Sequence, residues 1–226
     1  PTAHRPDIPP ALEAVVLKLL AKEDIRGDVH MHSTATDGTV GVEEMADAAE
    51  VRGLSYIAIT DHSKALAMAN GLDERRVIEF AGRVGKLDQQ SLGIRVLSGL
   101  ECDIRKDGSM DVADEALAAL DLVVGSVHSY MNLNPAAMTD RLLRALECKH
   151  LRVLGHPTGR LLLQREACPF DFERVAAEAA RRGVAMEINA SPERLDLDPV
   201  MLRAAKQQGV KFVISTDAHH PKHLAN

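Results

Sequence analysis

Short apolar runs, most of them dense in Val, Ile and Leu, recur along this chain between stretches whose apolar residues fall at helical spacing. Seven runs read as strands: Asp28 to His32, Tyr56 to Thr60, Arg95 to Leu100, Leu122 to Ser126, Arg152 to Gly155, Ala185 to Ile188 and Lys211 to Ser215. Runs without polar alternation suit strands buried on both faces. The stretches between them carry helical punctuation. Val42, Met45, Ala46 and Ala49 make one stripe that stops at Gly53, and Val77, Phe80, Ala81 and Val84 make another. Asp171 caps a stretch carrying Phe172, Val175, Ala176 and Ala179 that closes at Gly183, and Asp198-Pro199 opens one that closes at Gly209. Strands alternating with helices predict a parallel sheet, and seven such units predict a closed or nearly closed α/β barrel, with a doubly wound open sheet as the alternative. Asp107-Gly108, between Ile104 and Met110, predicts a hairpin turn after the third strand.

Residues 1–24 read as a separate lead-in: a proline-rich linker holding Pro1, Pro6, Pro9 and Pro10, then a helix from about Ala11 to Ala21. Residues 25–226 read as one domain, because 226 residues with 46% hydrophobic content supply one barrel-sized core. A net charge of -6 offers no general basic surface for nucleic acid. Cys102, Cys148 and Cys168 have no paired spacing and fit the core of a reduced, cytoplasmic protein. No apolar run approaches the roughly 20 residues of a membrane span, so no membrane partner is expected.

Composition changes the picture less than position does. Almost every predicted strand runs directly into a side chain that can bind a metal: His30 and His32, His62, Glu101, His128, His156, then Asp217 and His219. In a barrel all those ends open on one face. His30-Met31-His32 and Asp217-Ala218-His219 share an i, i+2 spacing, which on an extended chain sends both side chains to one side, so each pair is expected to grip one ion. Imidazoles mixed with carboxylates suit Zn, Mn or Fe. Any one member taken alone reads equally as a hydrogen-bonded core histidine, and Asp37 as a turn residue before Gly38. Asp28 and Asp61, next to ligand positions, read either as carboxylates that orient an imidazole or as capping and turn residues. Arg160 and Arg194, in loops beyond strands, read either as phosphate contacts or as surface ion pairs. His4, His150, His220 and His223 read as solvated surface.

The stretches RGDVHMHSTATDG (26–38), YIAITDHS (56–63), LSGLECDI (97–104), VVGSVHS (123–129), LGHPTGRLL (154–162), MEINASPERLDL (186–197) and VISTDAHHP (213–221) together resemble the PHP (polymerase and histidinol phosphatase) superfamily. The likeness is greatest to the C-terminal PHP domain of bacterial family X DNA polymerases. That resemblance implies a distorted (β/α)7 barrel of TIM-like, PHP type holding up to three divalent metal ions. The implied ligands are His30, His32, Asp37, His62, Glu101, His128, His156, Asp217 and His219, with Glu101 as a bridge between two ions. The implied activity is Mn-dependent 3′-5′ exonuclease or related DNA end processing in repair, with metal-bound water as the attacking group. The chain lacks the polymerase and helix-hairpin-helix portions of that family and stops short of its last helix, so it reads as one domain with a polymerase domain in cis. Its expected substrate is a DNA 3′ end or a phosphorylated small molecule. Two other readings stay open: a stand-alone phosphatase such as histidinol phosphatase, and a non-catalytic polymerase scaffold. An amidohydrolase is disfavoured because no strand-end lysine is available to bridge metals.

Overall fold

The computed structural model describes residues 24–88 and 93–226. The predicted helix Ala11–Ala21 lies outside the described residues. Strands β1 (Gly27–Asp28), β2 (Tyr56–Ile59), β3 (Arg95–Asp103), β4 (Leu122–Ser126), β5 (Val153–Leu154), β6 (Ala185–Asn189) and β7 (Phe212–Ser215) pair in sequence order, and every pair is parallel. A doubly wound sheet reverses its order at a switch point, and this one does not. Beyond β1 and β7 the chain forms one parallel bridge, Met31 to Ala218, where the His32 N–H donates to the Ala218 carbonyl at 2.8 Å. The sheet is therefore a nearly closed barrel.

Helices α1 (Val42–Val51), α2 (Glu74–Asp88), α3 (Asp114–Leu117), α4 (Pro135–Ala145), α5 (Phe172–Arg182) and α6 (Pro199–Gln207) connect the strands. The expected stripes face inward, burying Met45, Ala46 and Ala49 of α1, Val77, Phe80 and Val84 of α2, and Val175, Ala176 and Ala179 of α5. Asp171 accepts from the Arg174 N–H and Asp198 from those of Val200 and Met201, caps worth about 1 kcal/mol each. Gly183 and Gly209 take the left-handed conformation that ends their helices. The turn at Asp107-Gly108 is present, with Gly108 at φ 85° and Ile104 bridging Met110 antiparallel.

Two strands differ from expectation in ways that shape the site. Regular pairing of β1 ends at Asp28, short of His32, because the Asp28 carboxylate accepts the His30 N–H at 3.1 Å that a ladder would need. β3 runs on to Asp103, so Glu101 sits inside a strand, paired in register with Val124. Helix α4 was not anticipated. It starts at Asn134-Pro135, where the Asn134 side chain accepts from the Ala137 N–H, and it buries Met138, Leu142 and Arg141.

Candidate metal centre

The strand ends of the barrel bring all nine expected ligand positions into one cluster around Glu101. This carboxylate is 1% exposed. Its Oε1 lies 2.8 Å from His156 Nε2 and 3.2 Å from His128 Nε2. Its Oε2 lies 2.8 Å from His62 Nδ1, 3.4 Å from His30 Nε2 and 3.7 Å from His32 Nε2. Asp217 Oδ1 stands 3.2 Å from His32 Nε2 and 3.6 Å from His30 Nε2. Asp37 reaches His62 Nε2 at 3.4 Å and His219 Nε2 at 3.6 Å.

Within this cluster three groups have ligand atoms close enough to share an ion: His30, His32 and Asp217; His62, Glu101 and His128; and His32, Asp37, His62 and His219. His30 and His32 thus share a group, as their spacing predicts. Asp217 and His219 do not share one. The same-side rule holds only for extended chain, and Asp217 has φ 55°, so the backbone turns between the two side chains.

Whether a cation fits is decided by the buried atoms. His30 Nε2, His32 Nδ1, His62 Nδ1, Glu101 Oε2, His128 Nδ1 and His156 Nδ1 are all buried without an aligned hydrogen bond among the described residues. Orphaned polar atoms in such number are costly unless something positive lies among them. A set of nitrogen and carboxylate donors facing one another is what a divalent transition metal requires.

Electrostatics point the same way. Burial opposes charge throughout, yet Glu101 and Asp37 raise the His62 imidazole to about 10, and Glu101 with Asp103 raises His128 to about 9. Glu187, Glu101 and Asp217 together hold His30 well above the ordinary imidazole range. For His32 burial wins, and its imidazole falls to about 3. The carboxyls of Glu101 and Asp217 lie well below their usual range despite burial, because imidazoles surround them. Asp37 is lowered too: burial raises its carboxyl, and the contacts with His219 and His62 together outweigh it.

A layer behind the cluster holds it in place. Glu187 of β6, fully buried, accepts at Oε1 from His30 Nδ1 at 2.6 Å and at Oε2 from the His156 N–H at 2.6 Å. Asn189 donates to both Glu187 and Asp217 at 3.2 Å. Sequence reasoning missed Glu187; its signal is a carboxylate within a strand buried on both faces. Asp28 and Asp61 orient backbone, not rings. Asp28 accepts from the N–H groups of His30 and Thr216, and burial pushes its carboxyl up to about 6. Asp61 accepts from Ser33 N–H, Ser33 Oγ and Thr36 Oγ1 at 2.6 to 2.8 Å, stapling the loop that carries Asp37. A Cβ at Gly38 would lie 2.4 Å from the His32 carbonyl oxygen, so only glycine lets that loop close.

The two arginines part company. Arg194 Nε lies 3.3 Å from Asp217 Oδ2, and its buried Nη1 has no partner among the described residues. Arg160 instead turns its guanidinium to the backbone, donating to the carbonyls of Arg194 and Leu195. His220 and His150 are less solvated than expected: His220 Nδ1 accepts from the Lys222 N–H, and His150 packs 3.7 Å from Asp114 with a side chain 17% exposed. His223 is exposed, and His4 lies outside the described residues. The three cysteines are free, two of them buried. No helix among the described residues is long and apolar enough to cross a membrane.

The PHP domain profile matches residues 28–216. Over 204 residues the chain is 41% identical to DNA polymerase/3′-5′ exonuclease PolX of Bacillus subtilis, covering 90% of this chain and 36% of that protein. It is 28% identical over 202 residues to a probable phosphatase of Shewanella sp. strain MR-4, covering 85% of this chain and 75% of that one. Histidinol phosphate phosphatase of Lactococcus lactis, solved with Zn, L-histidinol and phosphate, has the same fold, with a TM-score of 0.62 at 18% identity over 88% of this chain and 90% of that one. The chain thus spans about a third of the length of the polymerase it matches.

Proposed function

Because the chain belongs to the PHP family and is a metal-dependent phosphoesterase, we propose that it cleaves phosphodiester bonds at DNA 3′ ends, as the 3′-5′ exonuclease part of a family X polymerase in DNA repair. The observation that carries this reading is the complete cluster around Glu101 in a chain 41% identical to a polymerase/3′-5′ exonuclease. On this reading a polymerase domain lies in cis, and the protein works in the cytoplasm, which agrees with its free cysteines.

The proposed ligands are His30, His32, Asp37, His62, Glu101, His128, His156, Asp217 and His219, holding up to three Mn or Zn ions, with Fe as a further candidate. When bound, such ions polarise the phosphoryl oxygen and acidify water to near neutrality, so no side-chain nucleophile is required. The protein's own part is positional. Glu187 fixes the His30 ring through Nδ1 and leaves Nε2 facing Glu101. Arg194, beside Asp217 and with Nη1 unpartnered, offers the phosphate a charged donor, while Arg160 holds the backbone that carries it.

The test is hydrolysis of a labelled primer with Mn by the wild-type chain and by His128→Ala. We expect the variant to lose at least about a hundredfold in rate. Equal cleavage by both would dismiss the proposal. Faster turnover of histidinol phosphate than of the primer would move the assignment to a small-molecule phosphatase.

A further inference from the structure

Glu101 and Asp103 lie two residues apart on β3, so both carboxylates point to the inside of the barrel. Glu101 is accounted for by the cluster it centres, and Asp103 is not. It is 4% exposed, and its only ion pair among the described residues is with His128. Burying a carboxylate is costly unless donors surround it, so what Asp103 holds is informative.

Asp103 stands opposite Ser126, the last residue of β4, and carries the grip of β3 past it to the loop that bears His128. There its Oδ1 accepts the His128 N–H at 3.2 Å and lies 3.4 Å from His128 Nδ1, a nitrogen with no other partner. Backbone and ring of one ligand thus meet the same oxygen. The other ring nitrogen, Nε2, faces Glu101 Oε1 at 3.2 Å. On the opposite side the Asp103 N–H donates to Ser63 Oγ at 2.8 Å, next to His62. Asp28 and Asp61 also accept backbone N–H groups, but neither pairs with an imidazole among the described residues.

A histidine that binds a metal through one nitrogen commonly donates its other N–H to a carboxylate or carbonyl oxygen, which fixes the tautomer and the ring. Each of the three groups of candidate ligands holds one histidine so placed: His30 with Glu187 at 2.6 Å, His219 with the Asp217 carbonyl at 2.9 Å, and His128 with Asp103. A neutral imidazole has one donor and one acceptor, so an Nδ1–H turned to Asp103 leaves the lone pair of Nε2 for an ion. We propose that Asp103 is a positioning residue for the ion of the His62, Glu101 and His128 group, acting through the His128 ring. This rests on the ligand set proposed above. The group of His30, His32 and Asp217 is backed by Glu187 and should not depend on Asp103.

The experiment uses the full chain loaded with Zn. In wild type carrying isotope-labelled histidine, NMR should find the His128 ring proton on Nδ1 and protected from exchange, its resonance identified by its loss in His128→Ala. Asp103→Asn keeps an oxygen for the His128 N–H but removes the charged acceptor. It should weaken one ion about ten- to a hundredfold in competition with a chelator and leave at least one other at wild-type affinity. In the His128→Ala background the same substitution should change no affinity, because the pair is already broken. Wild-type affinities in Asp103→Asn, equal weakening of every ion, or an undiminished effect without His128 would each overturn the proposal. So would a His128 ring protonated at Nε2 in wild type, a result that needs no variant to fold. Wild type that binds no ion at all would instead remove the ligand set beneath it.

Discussion

His30, Glu101, His156 and Glu187 form a dry floor to the candidate metal centre, none more than 2% exposed, while Asp37, His128 and His219 stand at its edge with side chains 34%, 15% and 32% exposed. The floor is held from within the barrel: Glu101 lies in β3, and Glu187 in β6 binds two of the histidines behind it. The edge is held by loops, through the Asp61 staple on Ser33 and Thr36 and the Thr39 N–H on the His219 carbonyl. One region is fixed by side chains of strands inside the barrel and the other by hydrogen bonds within and between loops. The floor should therefore set whether ions bind, and the edge should set how many stay.

The largest expected effect is at the shared point of the floor. Glu101→Gln removes the carboxylate that five imidazoles face, and metal content by mass spectrometry should fall towards zero with at least about a thousandfold loss of hydrolysis. Retained metal in that variant would show that floor and edge are independent. A smaller effect is expected one layer back. Glu187→Gln keeps the shape but weakens the hold on His30, and should reduce metal affinity about ten- to a hundredfold in a chain that still folds. Affinity equal to wild type would mean that the floor needs no backing.

The smallest and most diagnostic effect is on pH. His62 at about 10 and His128 at about 9 are protonated at neutrality in the metal-free chain, and a metal ligand must be neutral. With His30 raised as well, loading should then release at least about two protons at pH 7, read by calorimetry in buffers of different ionisation enthalpy, and should tighten as pH rises. Metal-free stability runs in the opposite direction. A raised imidazole pKa contributes stability that is complete below about 6.5 and is lost as pH climbs through 9 to 10, so the Tm of the metal-free chain should fall over that window. If both quantities moved together, the two histidines would not be the groups that exchange protons for metal.

Much of this was legible before any coordinates. β4 falls at Leu122–Ser126 as its apolar run predicts, and most of the proposed ligand positions were visible because predicted strands run directly into them. Glu187 was hidden because one polar residue between Met186 and Ile188 looks like the solvent side of an alternating strand; only the His30 contact across the barrel gives it a role. α4 was missed although Asn134-Pro135 marks its start, since the buried cation Arg141 breaks the apolar stripe. That guanidinium reaches the carbonyls of Ile104, Arg105 and Ser129, partners no local pattern discloses. Asp217 and His219 looked like one pair because spacing does not reveal that Asp217 itself is left-handed.

The single bridge between Met31 and Ala218 carries a last consequence. It joins segments that leave the ribosome far apart in time, and His32 meets Asp217 across 185 positions of chain only once that seam has zipped. A nascent polypeptide still missing its closing stave would own half a claw and have nothing to shut it against. The two candidate ion groups that draw on Asp217 or His219 are in this way left incomplete until synthesis has passed residue 219.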